Sequence, residues 1–207
     1  MVGSSPRLTR ALISSTLIAL PVALSAQQPK QAPVPRLTEA QQVASAVLAL
    51  PVQFRADARV LGYKKGSKAL VPLRDTKGEF TCLATPPDAS LHLACYHSSL
   101  EPFMARGRDL REKGTKDTQV DTVRFAEVMS GKLAMPKHPA ALYQLFGGTY
   151  DAAANTVAGA RPLFVIYISD ATAATTGLPD KPAGPGEPWI MFPGTPKAHI
   201  MLTPKMQ

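Results

Sequence analysis

The sequence predicts an α+β fold: an antiparallel sheet, made of a meander plus C-terminal strands, with helices packed on it. Three observations carry that prediction. Residues 39–50 place apolar side chains at helical spacing, residues 55–97 switch to short strand-like runs between turn signals, and residues 163–168 form an unbroken apolar run. The chain has 207 residues, of which 45% are hydrophobic and 6% aromatic, so wholly disordered and collagen-like classes are excluded. Proline is abundant at 20 residues, which implies many turns and extended connectors.

Residues 1–26 read as a signal peptide. Arg7 and Arg10 are the only charges, the run from Ala11 to Ala23 is apolar apart from Ser14, Ser15 and Thr16, and small residues follow at Ser25 and Ala26. The run is too short for the roughly 20 residues that span a bilayer. Residues 27–36 hold three prolines, three glutamines and no aromatic residue, the composition of a disordered leader. Residues 37–207 are expected to form a single globular α+β domain. No later stretch is apolar for long enough to cross a membrane, so the mature chain is expected to have no transmembrane segment. Its expected location is periplasmic or secreted.

The first element is a helix from Glu39 to Leu50. Thr38 is placed as its N-cap, Gln41 completes a capping box, and Pro51 ends it. Strands follow at 58–63, 69–74, 79–84 and 91–96, separated by Gly-, Pro- and Asp-rich turns, and are read as the meander. A helix over 100–113 closes at Gly114. Ser99 is preferred as its cap, because Pro102 then sits where no backbone donor is needed. A second helix is expected over 122–134, burying Thr122, Phe125, Ala126, Met129 and Leu133 and stopped by Pro136. A short helical stretch is expected over 140–146. The run 163–168 lacks polar alternation and reads as a central strand. Residues 189–192 and 199–202 form the last strand pair. The connector 169–188, with four prolines and three glycines, is either a binding loop or a surface excursion.

Cys82 and Cys95 are expected to form a disulfide. An even cysteine count in an exported chain favours a bridge, and folding the hairpin symmetrically puts the two residues opposite each other. The spacing is not Cys-x-x-Cys and no helix start lies beside either thiol, so a redox-active pair is the weaker reading.

The formal charge is +8, and loss of residues 1–26 leaves 21 Lys and Arg against 15 Asp and Glu, or +6. Residues 55–77 alone hold seven Lys and Arg and two Asp, with Lys64, Lys65 and Lys68 crowded into one turn. That turn is either a solvated edge or a site for an anionic partner. Nucleic acid is excluded as the expected partner, because only Tyr63 in this stretch offers a stacking surface. The segment Gly62–Lys68 lacks the spacing of a phosphate loop. Gly-x-Ser-x-Gly, His-Glu-x-x-His and Cys-x-x-Cys motifs are absent from the sequence.

The junction Tyr96–Ser99 feeds a strand into a helix start, whose free N–H groups suit an anion. Arg111 falls inside the apolar stripe of the following helix, with Arg106 and Arg108 flanking it. Such an arginine either lies along apolar surface, pairs with a carboxylate, or reaches a ligand. The four histidines, His92, His97, His138 and His199, show no metal spacing.

Three groups of residues carry a resemblance. They are the stretch Cys95–Arg108, the stretch Pro139–Tyr143, and Thr176–Pro179 together with Pro188–Met191 and Pro193–Pro196. Together they resemble a group of uncharacterised exported bacterial proteins. The resemblance covers most of the mature chain and implies a single secreted domain, without bringing an activity with it.

The expected function is therefore that of an exported soluble, non-enzymatic module that binds a small ligand or an envelope partner. The partner class is an anionic small molecule or a cell-envelope component, and no cofactor or metal is expected. The expected ligand-binding residues are His97, Ser99, Arg106, Arg111 and His199, under the 169–188 loop. The alternative is a periplasmic hydrolase with His97 or His199 as general base. A purely structural envelope protein without a pocket is a third reading.

Overall fold

A computed structural model describes Met1 and residues 36–204. The signal and most of the leader assigned to residues 1–36 lie outside the described residues. The elements are α1 (Glu39–Ala46), β1 (Arg59–Tyr63), β2 (Leu70–Arg74), β3 (Phe80–Leu83), β4 (His92–His97), α2 (Glu101–Glu112), α3 (Asp117–Met129), β5 (Ala140–Phe146), β6 (Thr149–Asp151), β7 (Thr156–Ala158), β8 (Arg161–Tyr167), α4 (Ala173–Thr176), β9 (Trp189–Met191) and β10 (His199–Leu202). Eight strands form one mixed, mostly antiparallel sheet in the order β2-β1-β3-β4-β5-β8-β10-β9, and β6 pairs with β7 in a separate hairpin.

The α+β class holds, and the simple meander does not. After the β1–β2 hairpin the chain rounds the start of β1, and β3 pairs with β1 in parallel, Val60 opposite Cys82. The reason lies in β2 and β3. Pro72 has no N–H to offer a second neighbour, so β2 suits the sheet edge. Phe80, Thr81 and Cys82 are all buried, so β3 needs cover on both faces. The crossover is tight at Gly78, where a Cβ would fall 1.9 Å from the Asp57 carbonyl oxygen. Thr76 Oγ1 donates to that same carbonyl at 2.6 Å.

α1 starts where the capping box places it. The Gln41 N–H donates to Thr38 Oγ1 and the Thr38 N–H to Gln41 Oε1. The helix gives way to a 3₁₀ turn over Val47–Ala49 before Pro51. Between β4 and α2 a 3₁₀ turn spans Ser98–Leu100, so Ser99 does not cap α2: His97 caps the turn, and α2 itself has Leu100 at its N-cap, without a side-chain cap. The His97 ring nitrogen accepts the Ser99 N–H, and Pro102 falls in the first turn of α2, where its missing donor costs nothing. Gly114, at φ +85°, ends α2 as expected.

Two helix expectations need correction. Residues 140–146 are a strand, β5, paired along its whole length with β8 and along most of it with β4. Both faces of β5 are at least half-buried, so its apolar residues do not alternate with polar ones and helical spacing fits as well. The helix expected over 122–134 runs from Asp117 to Met129. It buries Val120 and Arg124, while Met129 is 77% exposed. A buried arginine inverts the hydropathy signal from which its face was read.

Neighbouring residues of a strand point to opposite sides, so Cys95 and Tyr96 divide the core. On one face Val60, Phe80, Cys82, Leu93 and Cys95 pack under Ala46, Val47 and Leu50 of the first helical segment. On the other, Tyr96, Leu142, Val165 and Tyr167 pack with Leu100 and Met104 at the start of α2. Cys82 and Cys95 stand in register on β3 and β4, bridged, with Cα atoms 4.0 Å apart and no exposed surface. That pair is compatible with an oxidising compartment. No helix among the described residues is long and apolar enough to cross a membrane.

Candidate anion-binding cleft

A cleft of about 600 Å³ separates the β1–β2 hairpin from α2. Its hairpin wall is built on Tyr63, the last residue of β1. The buried Gln42 side chain clamps the backbone there. It accepts the Tyr63 N–H at 2.8 Å and donates to the Tyr63 carbonyl at 2.9 Å and to the Leu37 carbonyl at 3.3 Å. Gly62 makes room for the clamp, since a Cβ would meet Gln42 Oε1 at 2.7 Å and Leu73 Cδ1 at 2.5 Å. The turn closes through Ser67, whose N–H donates to the Lys64 carbonyl and whose Oγ accepts the Ala69 N–H, and Lys68 is left lining the cleft.

The opposite wall is α2. Ala105, Arg108, Asp109 and Glu112 recur at spacings of three and four and share one face, joined by Arg111. Arg108 is held from behind: Nη1 donates to the Tyr96 hydroxyl at 2.6 Å and Nη2 pairs with Glu101 at 2.7 Å. Burial pushes the Tyr96 phenol far above its ordinary value, so it stays protonated and donates to Glu101. Asp109 faces Lys113 and Arg106 at 2.7 and 2.5 Å, and these two cations hold its carboxyl below the usual range. Its charge is therefore matched inside the protein. Arg111 pairs with the exposed Asp117 at 3.1 Å and donates to the Gly107 carbonyl. Lys68 has no ion-pair partner among the described residues, and neither does the acidic lining residue Glu112. Tyr63, Ala69, Leu70 and Ala105 supply the apolar lining.

Of the five residues expected to bind ligand, this cleft takes Arg111. Arg106 turns toward α3 and forms a two-pronged pair with Glu127 at 2.9 and 2.6 Å. His97 and Ser99 serve the helix start. His97 Nδ1 lies 2.7 Å from Ser99 Oγ and 3.3 Å from the Ser99 nitrogen, and the Ser98 N–H donates to the Glu79 carbonyl. The Ser98 and Ser99 N–H groups expected to receive an anion there are used within the chain. His199 lies on β10, three strand spacings from β4, or about 14 Å across the sheet. The 169–188 loop packs Leu178 with Ile190 and gives the Pro179 carbonyl to the Ile190 N–H at 2.9 Å. It thus covers the β9 edge and not the start of α2. Lys68 and Arg108 also line the cleft and were not in the expected set, although the crowded basic turn and the arginine spacing of α2 both drew attention to them.

His199 is 4% exposed, between the rings of Tyr167 and Phe192, with Nδ1 donating to the Lys197 carbonyl at 2.7 Å. Burial lowers its pKa, opposed by the Lys197 hydrogen bond. The unfolded chain takes up a proton at this residue near pH 6.5, whereas the folded chain resists it. Folding stability at this position is therefore present above about pH 6.5 and declines as pH falls below it. Denaturant midpoints of wild type and His199→Gln should converge as pH is lowered from neutrality. Midpoints that run parallel would remove His199 as the source.

A second, mainly apolar groove of about 480 Å³ lies at the far end of the sheet, over Phe146, Leu163 and Met201. No group of three or more metal-ligating side chains occurs among the described residues. Family models, curated proteins and solved structures yield no match to this chain. Geometry alone carries the functional reading.

Proposed function

We propose that the chain is an exported, non-enzymatic binding module whose hairpin–α2 cleft takes a small anionic molecule or an anionic envelope component. The observation that carries this reading is that Lys68 and Arg111, on elements some 40 residues apart in sequence, line one open cavity with Tyr63 between apolar neighbours. An anion with an apolar body matches both features. The signal-like pattern of residues 1–26 and the buried Cys82–Cys95 bridge support export.

The amphiphilic anion 8-anilinonaphthalene-1-sulfonate is a direct probe, because its fluorescence rises in an apolar site. Reversing one charge at a solvent-open site changes the interaction by at least about 1 kcal/mol. Lys68→Glu and Arg111→Glu should each weaken the probe's affinity by about fivefold or more, and together by well over tenfold. Affinity unchanged in the double variant would place the probe elsewhere, the groove at Phe146 being the obvious site, and would remove the reading.

One observation favours the hydrolase alternative: the 2.7 Å contact between His97 Nδ1 and Ser99 Oγ. Turnover of p-nitrophenyl acetate that vanishes in both His97→Ala and Ser99→Ala would replace the binding reading with that one.

A further inference from the structure

We infer that the ligand of the hairpin–α2 cleft is elongated and carries two anionic groups, one at Arg111 and the other beyond the hairpin turn at Arg36, with Tyr63 between them. The inference rests on the binding reading above and adds the shape and charge spacing of its ligand.

A second cavity, of about 410 Å³, lies on the other side of the turn and is lined by Arg36, Ser67 and Pro87 among others. Tyr63 and Lys68 line both cavities, so the two are neighbouring compartments that share one wall. The volumes, about 600 and 410 Å³, far exceed what a lone phosphate or carboxylate occupies and together suit an extended molecule of drug-like size or larger. Nothing crowds the turn itself, since a Cβ placed on Gly66 would meet no atom within 4 Å.

The charges sit at the two ends. Arg36 donates through one guanidinium nitrogen to the Lys64 carbonyl at 3.4 Å, which ties it to the turn while no carboxylate pairs with it among the described residues. Arg111, at the other end, has only the largely exposed Asp117 as an ion partner. Lys68 stands between them. Arg108 and Asp109 are matched internally by Glu101 and by Arg106 with Lys113, so neither sets the balance. Asp88 and Glu112 are the opposing charges at the rims.

Tyr63 supplies a donor at the shared wall. It is only 9% exposed and its backbone is clamped by Gln42, while its hydroxyl makes no hydrogen bond to another described residue and faces the solvent of the cavities it lines. A tyrosine phenol is protonated at neutral pH, and burial raises its pKa further, so it keeps a hydrogen to donate. A polar bridge between the two anionic ends of a ligand would accept that hydrogen.

Linear α,ω-dicarboxylates of increasing length, each compared with the monocarboxylate of equal length by isothermal titration, test the inference. Once the first end is seated, the second binds intramolecularly, so its gain appears only at lengths that reach both ends. The expected result is a length at which the diacid binds at least about tenfold more tightly than its monoacid. Arg36→Glu should abolish that advantage, bringing the diacid down to the affinity of its monoacid for the same variant. Diacids that never exceed their monoacids, or an advantage that survives Arg36→Glu, would overturn the two-anion inference and leave the single-anion reading standing. Failure of both acid classes to bind would overturn the two together.

Discussion

Replacing Cys82 and Cys95 together by alanine is expected to lower folding stability by about 3 kcal/mol, the chain-entropy value for a loop of this length. The bridge links residues 13 apart in sequence, on adjacent strands whose register already holds them opposite each other. Its effect therefore falls mainly on the unfolded chain, which gains the freedom of the 83–94 segment when the bond is absent. Both residues are wholly buried in the layer under α1, and the sulfur-sized voids left by the two substitutions would add to the loss. Guanidinium titrations of the wild type with and without a strong reductant should show the share of that loss that belongs to the bond itself, with the double variant at least as unstable as the reduced protein. Equal midpoints in all three samples would mean that the bridge does not stabilise the fold. The structural support for an oxidising compartment would go with it.

The bridge was legible in the sequence because a hairpin is local: two cysteines equidistant from one turn have a single symmetric way to meet. The same is true of the Thr38–Gln41 capping box and of the β9–β10 pair around Pro193–Pro196. What was not legible is non-local. β3 lands beside β1 because β2 must be an edge and β3 must be interior, and only Pro72 hints at this in the chain. β5 carries apolar residues on both faces, so its pattern fits a helix turn as well as a strand. The face of α3 was misread because Arg124 occupies one of its two buried positions, beside Val120. The cleft was legible by halves. The crowded turn around Lys68 and the misplaced arginine at 111 each stood out, but nothing local says that the hairpin and α2 share a cavity. His97 and His199 drew attention for their chemistry. The structure uses one to cap a helix start and packs the other between aromatic rings.

Asp121→Ala is expected to destabilise the protein by about 3 kcal/mol or more, and Arg124→Met by about 1 kcal/mol or less, although the two residues form one ion pair. The asymmetry follows from who else is present. Arg124 has 4% of its side chain exposed, its guanidinium sits 3.9 Å from the centre of the Phe103 ring, and Nη1 donates to the Phe103 carbonyl at 3.2 Å. Its Nε is buried with no partner among the described residues, so even the intact pair is incompletely satisfied. Burial would raise the pKa of Asp121, but hydrogen bonds from Lys197 and Arg124 outweigh it and hold the carboxyl below its usual range. Deleting the carboxylate leaves two cations facing one another, one of them out of water, the costly case for a broken buried pair. Deleting the guanidinium leaves Asp121 still paired with Lys197 at 2.8 Å. Methionine keeps the stem against Phe103 and adds a sulfur–aromatic contact. The double variant should therefore be more stable than Asp121→Ala alone. This cluster also sets the cleft wall. Arg124 packs beneath Gly107, where a Cβ would fall 2.9 Å from its Nη1, and so fixes how closely α2 approaches α3. Denaturant midpoints for the two single variants and the double variant decide the point. An Arg124→Met variant as unstable as Asp121→Ala would mean that the arginine itself, rather than the carboxylate that neutralises it, holds the helix pair together.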